Sequence, residues 1–379
     1  MDLYFFYPEQ YQALYNCTSY KIDDIPMNRR QHMVMGVSFI VIFCVFQVLY
    51  IPCNFVLWKH RDLACYKIML LIGIADVLNL WAAAFLTGFY AITGAVFCSY
   101  PLFNYVVGCF ATVLWGIETC SSVLLALNRC FGLYKPHINN ILFNGNRTCL
   151  WLLVIVIYSF YYGLFHKPAL YNGIYVAWMF NPHYGYIDDV NGSVRVQRSI
   201  IRARTIGQKE NPDKKTIIIL YENVYEAAYD AFIFVSICTL YIAFSALLLF
   251  DNSKLIAPFS CKTTLSKFAT KKRSSQKMIF LQAFLISSTN ALNAALYFAI
   301  ALVSISDNAL YIVTYVWCAA HGMPSIVYLT LNKSIRKDCI KMISGTFHFQ
   351  SATDVLFVSA IRHSKPTVTV SLKDRRTNY

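Results

Sequence analysis

Seven long stretches of almost unbroken hydrophobic residues alternate with shorter polar segments along the chain. They cover residues 33–57, 68–92, 99–127, 148–165, 227–250, 278–303 and 309–331. An α-helix rises ~1.5 Å per residue, so each stretch can cross, or nearly cross, the ~30 Å hydrocarbon core of a bilayer. The pattern therefore predicts an all-α membrane protein in which residues 33–331 form a seven-transmembrane helix bundle.

Two polar segments flank this bundle. The N-terminal segment, 1–32, lacks an apolar core long enough for a signal peptide, so helix one is expected to direct insertion. The C-terminal segment, 332–379, opens with Ile335, Ile340 and Met342 interspersed among Lys and Arg. This spacing predicts a short amphipathic helix along the membrane after helix seven, followed by a polar tail.

The basic residues are unevenly divided between the two ends of the predicted bundle. None of the 33 Lys and Arg lies inside a hydrophobic stretch; the C-terminal side carries 22 of them and the opposite side 11. Cytoplasmic loops of membrane proteins are enriched in Lys and Arg, so the N-terminus is expected to be extracellular and 332–379 cytoplasmic. The net charge of +14 therefore indicates no nucleic-acid partner; the lipid bilayer is the expected partner.

The composition excludes several other classes of protein. Hydrophobic residues make up 57% of the chain and charged residues 14%, whereas ~25% charged residues is usual in soluble domains. An aromatic content of 16% excludes a disordered chain, and the length excludes a small disulfide-dense scaffold. No metal-ligand or nucleophile motif is apparent, so an enzyme is not expected.

The predicted outer segments carry candidate modification sites. Asn16 and Asn191 each begin an Asn-X-Ser/Thr glycosylation sequon. Of the 13 cysteines, only Cys17 and Cys98 are expected to face the oxidising compartment, which predicts a disulfide between the N-terminal segment and the top of helix three. Two free thiols are the alternative.

An atypical basic insert, 193–215, enlarges the second outer loop. It carries seven Lys or Arg against two acidic residues. It would be a lid or a contact for an acidic partner. An intron translated in error is the alternative that we slightly favour.

Buried charge marks a candidate site inside the bundle, because charges within a membrane are costly unless paired or hydrated. Asp76 and Glu118 lie ~12–13.5 Å from the inner ends of helices two and three, and His321 and Asn290 lie at a similar depth. These residues predict a hydrated polar layer. Its two carboxylates would share a proton or hold a cation such as sodium, and no other cofactor is expected. The alternative is a protonated Glu118 bonded to a backbone carbonyl.

Helix five begins with one stripe of tyrosines and one of acidic residues, both at a spacing of four. They are Tyr221, Tyr225 and Tyr229, beside Glu222, Glu226 and Asp230. This spacing places each set on one helical face. The stripes predict an acidic, aromatic wall at the mouth of a ligand cavity. A solvated helix end with interfacial tyrosines is the alternative that we favour.

The inner ends of helices three and seven resemble those of G-protein-coupled receptors. Residues 127–130 look like the acidic-Arg-aromatic motif, with Asn128 in place of the acid and Arg129 as its arginine. Pro324 and Tyr328 resemble the Asn-Pro-x-x-Tyr motif, with its Asn lost and its Tyr displaced by one. The resemblance implies that these four residues form the signalling switch; a snorkelling Arg129 is the alternative. Asn54 matches a common polar residue of such receptors and is counted with the buried polar layer.

A closer resemblance is to the nematode serpentine receptor class T, over roughly residues 15–340. The segments that carry it are 15–17, 49–53, 66–70, 94–101, 125–130, 167–168, 178–183 and 324–332. The resemblance implies a chemosensory receptor in the plasma membrane of sensory cells. Such a receptor would bind a small-molecule ligand from the outer side and couple to a heterotrimeric G protein. A ligand-gated channel or transporter without G-protein coupling is the alternative.

Overall fold

The computed structural model describes residues 1–18, 21–186, 224–254, 264–302 and 307–343, and most of them are helical. Within these ranges lie seven long helices and one shorter helix that follows them. They are α1 (Met33–Lys59), α2 (Ala64–Thr93), α3 (Pro101–Tyr134), α4 (Arg147–Phe165), α5 (Val224–Lys254), α6 (Thr264–Leu302), α7 (Asp307–Leu331) and α8 (Lys333–Ile343). The predicted all-α bundle of seven helices is confirmed.

Helix α3 lies at the centre of the bundle, in contact with α2, α4, α5 and α6. Helix α7 closes the bundle against α1, α2 and α6. In contrast, α1 and α4 present exposed apolar side chains such as Val48, Leu153 and Ile157 to the outside. Lipid tails are themselves apolar, so such faces need no polar cover in a bilayer. Judged on the described residues, α1, α2, α3, α4 and α7 are long and apolar enough to cross a membrane.

Several short elements were not predicted from the sequence. The N-terminal segment forms helices Asp2–Phe6, Pro8–Tyr15 and Met27–Arg30, and Pro136–Phe143 is a helix between α3 and α4. After α4, strands β1 (Leu170–Asn172) and β2 (Ala177–Met179) pair antiparallel, with Tyr171 opposite Trp178. We call residues 170–179 the outer hairpin, and we use "outer" and "inner" for the two ends of the bundle according to the predicted orientation. The basic insert 193–215 and Asn191 lie outside the described residues.

Helix α2 is interrupted by a π-helical segment, Trp81–Leu86. Such a segment frees backbone carbonyls from the regular ladder, and they need other donors. The Thr87 hydroxyl donates to the Ala82 carbonyl at 3.0 Å, and the Cys318 thiol of α7 donates to the Ala83 carbonyl at 3.0 Å. The interruption therefore gives α2 a specific attachment to α7.

Helix α8 matches the amphipathic helix predicted after helix seven. The side chain of Asn332 caps it by accepting a hydrogen bond from the backbone N–H of Ile335 at 3.1 Å. Ile335 and Cys339, one turn apart, are buried against the bundle, whereas Ile340 is exposed. The helix is thereby fixed along the inner end of α1 and α7.

Candidate functional site

Three ionisable side chains from three helices meet at the centre of the bundle. Asp76 of α2, Glu118 of α3 and His321 of α7 are each fully buried. His321 Nδ1 lies 3.1 Å from Asp76 Oδ1 and 2.7 Å from Glu118 Oε2. We call these residues the acid–histidine cluster. The structure thus joins three of the residues that the sequence placed at one depth.

Tyr50 of α1 contacts the acid–histidine cluster from a fourth helix. Its hydroxyl lies 2.7 Å from Asp76 Oδ2 and 2.7 Å from the backbone carbonyl of His321. A hydroxyl carries one proton and cannot donate to both acceptors at once. Every contact is satisfied when a proton on Asp76 Oδ2 bonds to the Tyr50 oxygen and Tyr50 donates to the carbonyl. The geometry therefore favours a proton on Asp76 Oδ2.

The far side of the His321 ring faces Asn79, one turn along α2 from Asp76. The side-chain amide of Asn79 lies 2.7 Å from His321 Nε2. The amide can donate to a neutral ring, or its oxygen can accept from an imidazolium. In both cases the proton on Nδ1 points toward the two carboxylates.

The cluster offers one ligand atom from each of its three residues, and these atoms lie within 4.8 Å of one another. Any carboxylate of the cluster that is ionised in this buried site needs a compensating positive charge. A proton on His321 supplies that charge. A small cation held by carboxylate oxygens and the Tyr50 hydroxyl would supply it equally well, so the residues present fit the predicted sodium ion.

Aromatic rings extend from the cluster toward the outer hairpin. The His321 ring has Trp317 on one side at 6.0 Å and Trp115 on another at 6.3 Å, both edge-on. Trp317 in turn lies 5.9 Å from Trp178 of β2. A continuous column of rings therefore joins the hairpin to the acid–histidine cluster.

The outer hairpin lies deep between the outer ends of the helices. Tyr171, Val176 and Trp178 are buried in one apolar cluster with residues of α1, α2 and α7. Thr314 of α7 donates to the Val176 carbonyl at 3.1 Å. Val176 has a positive φ of 47°, which is a strained conformation for a β-branched residue. Strain of this kind persists only where surrounding contacts hold it, as the buried hairpin does here.

The chain matches the family described as "Serpentine type 7TM GPCR chemoreceptor Srt" over residues 1–351. It belongs to this family. It is also similar to "Serpentine receptor class T-55" of Caenorhabditis elegans, with 22% identity over 338 residues that cover 87% of this chain and 80% of that receptor. The resemblance to class T receptors seen in the sequence is confirmed, and Srt proteins are a receptor class rather than an enzyme family.

The other two members of the predicted polar layer of this Srt protein, Asn54 and Asn290, form hydrogen bonds outside the acid–histidine cluster. Half-buried Asn54 donates to the Gly73 carbonyl at 3.1 Å, where a Cβ on residue 73 would overlap its amide oxygen. Buried Asn290 of α6 donates to Ser122 Oγ at 3.2 Å. Tyr50 and Asn79 were not predicted from the sequence. The position of Asn79, three residues after Asp76 in an apolar stretch, was the available signal.

Two positions of the predicted wall on α5 have described side chains, and both are buried. Tyr229 is buried, with its hydroxyl 2.6 Å from Thr119 Oγ1 of α3 and its ring 4.8 Å from that of Tyr162. Asp230 is only 3% exposed. The solvated helix end that we favoured is wrong at these two positions, because this part of α5 packs into the bundle. Residues 221–223 and the side chains of Tyr225 and Glu226 lie outside the described part.

The predicted switch residues of this Srt protein lie at the inner end of the bundle. Within the described ranges, Arg129 forms no ion pair with an acidic side chain, and its Nη2 lies 4.0 Å from Met69 Sδ. Asn128 instead donates to Asn139 Oδ1 at 3.0 Å, in the helix that follows α3. Pro324 lies inside α7, and Tyr328 is fully buried.

The outer face carries the predicted cysteine pair. Cys17 and Cys98 form a disulfide that ties the N-terminal segment to the short turn before α3. Asn16 next to it is half-buried, and its side-chain oxygen accepts a hydrogen bond from the Thr18 N–H at 2.8 Å.

Near the disulfide, the ring of His183 lies edge-on to the ring of Phe97, with 5.5 Å between the ring centroids. Burial lowers the pKa of His183 to about 4.

Proposed function

We propose that this Srt protein is a chemosensory receptor of the plasma membrane of sensory cells. It binds a small molecule from the outer side and signals to a heterotrimeric G protein at its inner face. The observation that carries the proposal is the contact between Trp178, Trp317 and His321, because it joins the outer hairpin to a buried charged cluster. Family membership supports the same reading.

Ligand recognition would act through the outer hairpin, since Trp178 occupies the outer end of the bundle. A ligand that displaces or reshapes the hairpin changes the environment of Trp317. A ligand can shift a conformational equilibrium only by its differential affinity for the two states. Displacement of the hairpin gives that difference, because its contacts exist in one state only.

The acid–histidine cluster would hold the resting arrangement of α2, α3 and α7. Its positive charge is a proton on His321 or a sodium ion near Asp76 and Glu118. A helix shift that separates these groups leaves charge uncompensated, which costs several kcal/mol in a buried site. The cluster thereby links the outer ligand to the relative positions of three helices.

At the inner face, Arg129 would contact the G protein when the bundle opens. Its neighbour Asn128 offers a neutral acceptor instead of a carboxylate, and is already bonded to Asn139. A guanidinium without a charged clamp is easier to release. Pro324 and Tyr328 would allow the inner end of α7 to rearrange in the same step.

The test is expression of the full chain in cultured cells with a second-messenger readout and a panel of odorants. We expect a response to at least one ligand, which Arg129→Ala abolishes at unchanged surface expression. Lys337→Gln, at an exposed position of α8, is the matched control, and this variant should signal normally. A response that persists in Arg129→Ala would contradict this role. A ligand-evoked current without second-messenger change would favour the channel alternative.

A further inference from the structure

An open cavity of about 430 Å³ lies at the inner ends of α2 and α4. Arg61, Asp62 and Lys67 line one part of it, and they belong to the turn before α2 and its first turn. Leu70, Leu71 and Ile74 of α2 line the rest, together with Cys149 and Leu152 of α4. The cavity therefore has a charged rim and an apolar wall, and it is separate from the acid–histidine cluster.

The rim is suited to an anion. The Lys67 ammonium donates to the Gly145 carbonyl at 3.0 Å, which leaves two of its three N–H groups free to contact a ligand. The Arg61 guanidinium donates one hydrogen bond to the Trp58 carbonyl and lies 4.2 Å above the Trp58 ring. Its remaining N–H groups can form further bonds. The exposed carboxylate of Asp62 opposes them, so the three side chains carry a net charge of +1.

Two helix ends add to this potential. Helices α2 and α4 both begin beside the cavity, at Ala64 and Arg147, and neither start is capped by a side-chain hydrogen bond. The N-terminus of a helix carries a partial positive charge and unsatisfied N–H groups. Two such ends next to Arg61 and Lys67 favour a negatively charged group at the rim.

The cavity lies at the expected boundary between hydrocarbon and water. Trp58 at the end of α1 and Trp151 in the first turns of α4 are both exposed at this level. Tryptophan is enriched at membrane interfaces, with its ring among the lipid headgroups. The apolar wall of the cavity, from Leu70 to exposed Ile74, extends from this level toward the membrane centre.

We propose that this cavity binds an anionic phospholipid of the inner leaflet. The phosphate lies between Arg61, Lys67 and the two helix starts, and one acyl chain lies along the wall formed by Leu71, Ile74 and Leu152. The bound lipid bridges α2 and α4 at the inner face. This assignment depends on the charge and shape of the cavity and on no property of the chemosensory ligand.

The test is native mass spectrometry of the full-length protein in detergent, titrated with dioleoylphosphatidylserine. We expect Arg61→Gln/Lys67→Gln to weaken the tightest lipid adduct about thirtyfold, since each of the two basic groups near an anionic headgroup contributes ~1 kcal/mol and ~1.4 kcal/mol is a tenfold change. Asp62→Asn should strengthen it. Ile74→Trp, which fills the apolar wall and leaves the charges, should weaken it as well. Dioleoylphosphatidylcholine should bind less tightly than the anionic lipid.

The matched control is Lys333→Gln/Lys337→Gln, which removes the same charge from exposed positions of α8 on the same side. It should change the affinity less than twofold. An equal loss in the two double variants would mean general attraction to basic residues and would overturn the proposal. Competition by inorganic phosphate at the concentrations at which the lipid binds would indicate a free-anion site and overturn it too. Thermal unfolding of each variant verifies that it is folded.

Discussion

His321 Nδ1 lies 2.7 Å from Glu118 Oε2, and both side chains are fully buried. The pair joins α7 to α3 at positions that are closed to the protein surface. Removing one partner of a buried pair leaves the other uncompensated, which is far more costly than losing an exposed ion pair. The pair is therefore a structural link between two helices, and it is the place where we propose that a cation or a proton acts.

Glu118→Gln should lower the stability of the receptor and, since we propose that sodium binds beside Glu118, remove the stabilisation by sodium. The substitution keeps the shape of the side chain and deletes the charge that faces His321, so we expect the free energy of unfolding to fall by about 3 kcal/mol. Thermal unfolding of purified protein in sodium chloride and in choline chloride measures both effects. Glu9→Gln, at an exposed position, is the control. A Glu118→Gln protein that unfolds and responds to sodium like the wild type would mean that Glu118 is already neutral.

A double-mutant cycle isolates the interaction between Glu118 and His321. We expect the effects of Glu118→Gln and His321→Asn to be non-additive by about 1–3 kcal/mol, because each change removes the same contact. The measurement is the free energy of unfolding of the wild type, both single variants and the double variant. Strict additivity would show that the two side chains are energetically independent.

Tyr50→Phe should destabilise the protein more than the same substitution at another buried tyrosine. The Tyr50 hydroxyl contacts both Asp76 and the His321 carbonyl, so its removal leaves buried polar groups unsatisfied, at a cost of about 1–3 kcal/mol. Tyr105 is also fully buried, and its hydroxyl forms no hydrogen bond among the described residues. Tyr105→Phe is therefore the control, and thermal unfolding is the measurement. Equal losses of stability in the two variants would mean that the contacts of the Tyr50 hydroxyl with the acid–histidine cluster do not stabilise the protein.

The helices could be predicted from the sequence because few backbone conformations are stable within a bilayer. Every polar backbone group must be satisfied within the helix, so a long apolar stretch is sufficient evidence for one. The constant rise per residue also placed Asp76, Glu118 and His321 at one depth. Their contact then required only that the three helices be neighbours.

What escaped prediction depends on helix rotation and on irregular backbone. Tyr50 is one of 27 tyrosines, and nothing in its local sequence shows that it faces Asp76. Tyr229 lay in a regular polar stripe that indicated a helix end, yet packing against Thr119 buries it. The π-helical segment at Trp81–Leu86 and the three-residue strands of the outer hairpin are stabilised by tertiary contacts, such as that of Trp178 with Thr87.

Removing the disulfide should destabilise the outer end of the bundle. Cys17 and Cys98 are separated by 81 residues, and a crosslink across so long a loop reduces the entropy of the unfolded chain considerably. We expect Cys17→Ser/Cys98→Ser to lose about 2–5 kcal/mol of stability. Cys44→Ser, at an exposed free cysteine, is the control. Non-reducing peptide mapping that finds both thiols free in the wild type would contradict the pairing.

The stability of the outer segment should depend on His183 between about pH 4 and pH 6.5. Burial lowers the pKa of His183 to about 4 from its ordinary value of 6.5. In that window the unfolded chain binds a proton that the folded chain does not, so stability rises with pH and is complete above pH 6.5. A shift of this size corresponds to about 3 kcal/mol.

Hydrogen exchange of the amides in 170–186 at pH 4.5 and pH 7 measures this dependence, after correction for the intrinsic pH dependence of exchange. We expect protection to be lower at pH 4.5 in the wild type, and the difference to shrink in His183→Gln, which cannot be protonated there. His137→Gln, in the exposed helix between α3 and α4, is the matched control and should retain the wild-type difference. Equal pH dependence in His183→Gln and the wild type would assign the effect to another group. Since Phe97 lies against His183 and precedes Cys98, protonation would loosen a contact next to the Cys17–Cys98 disulfide.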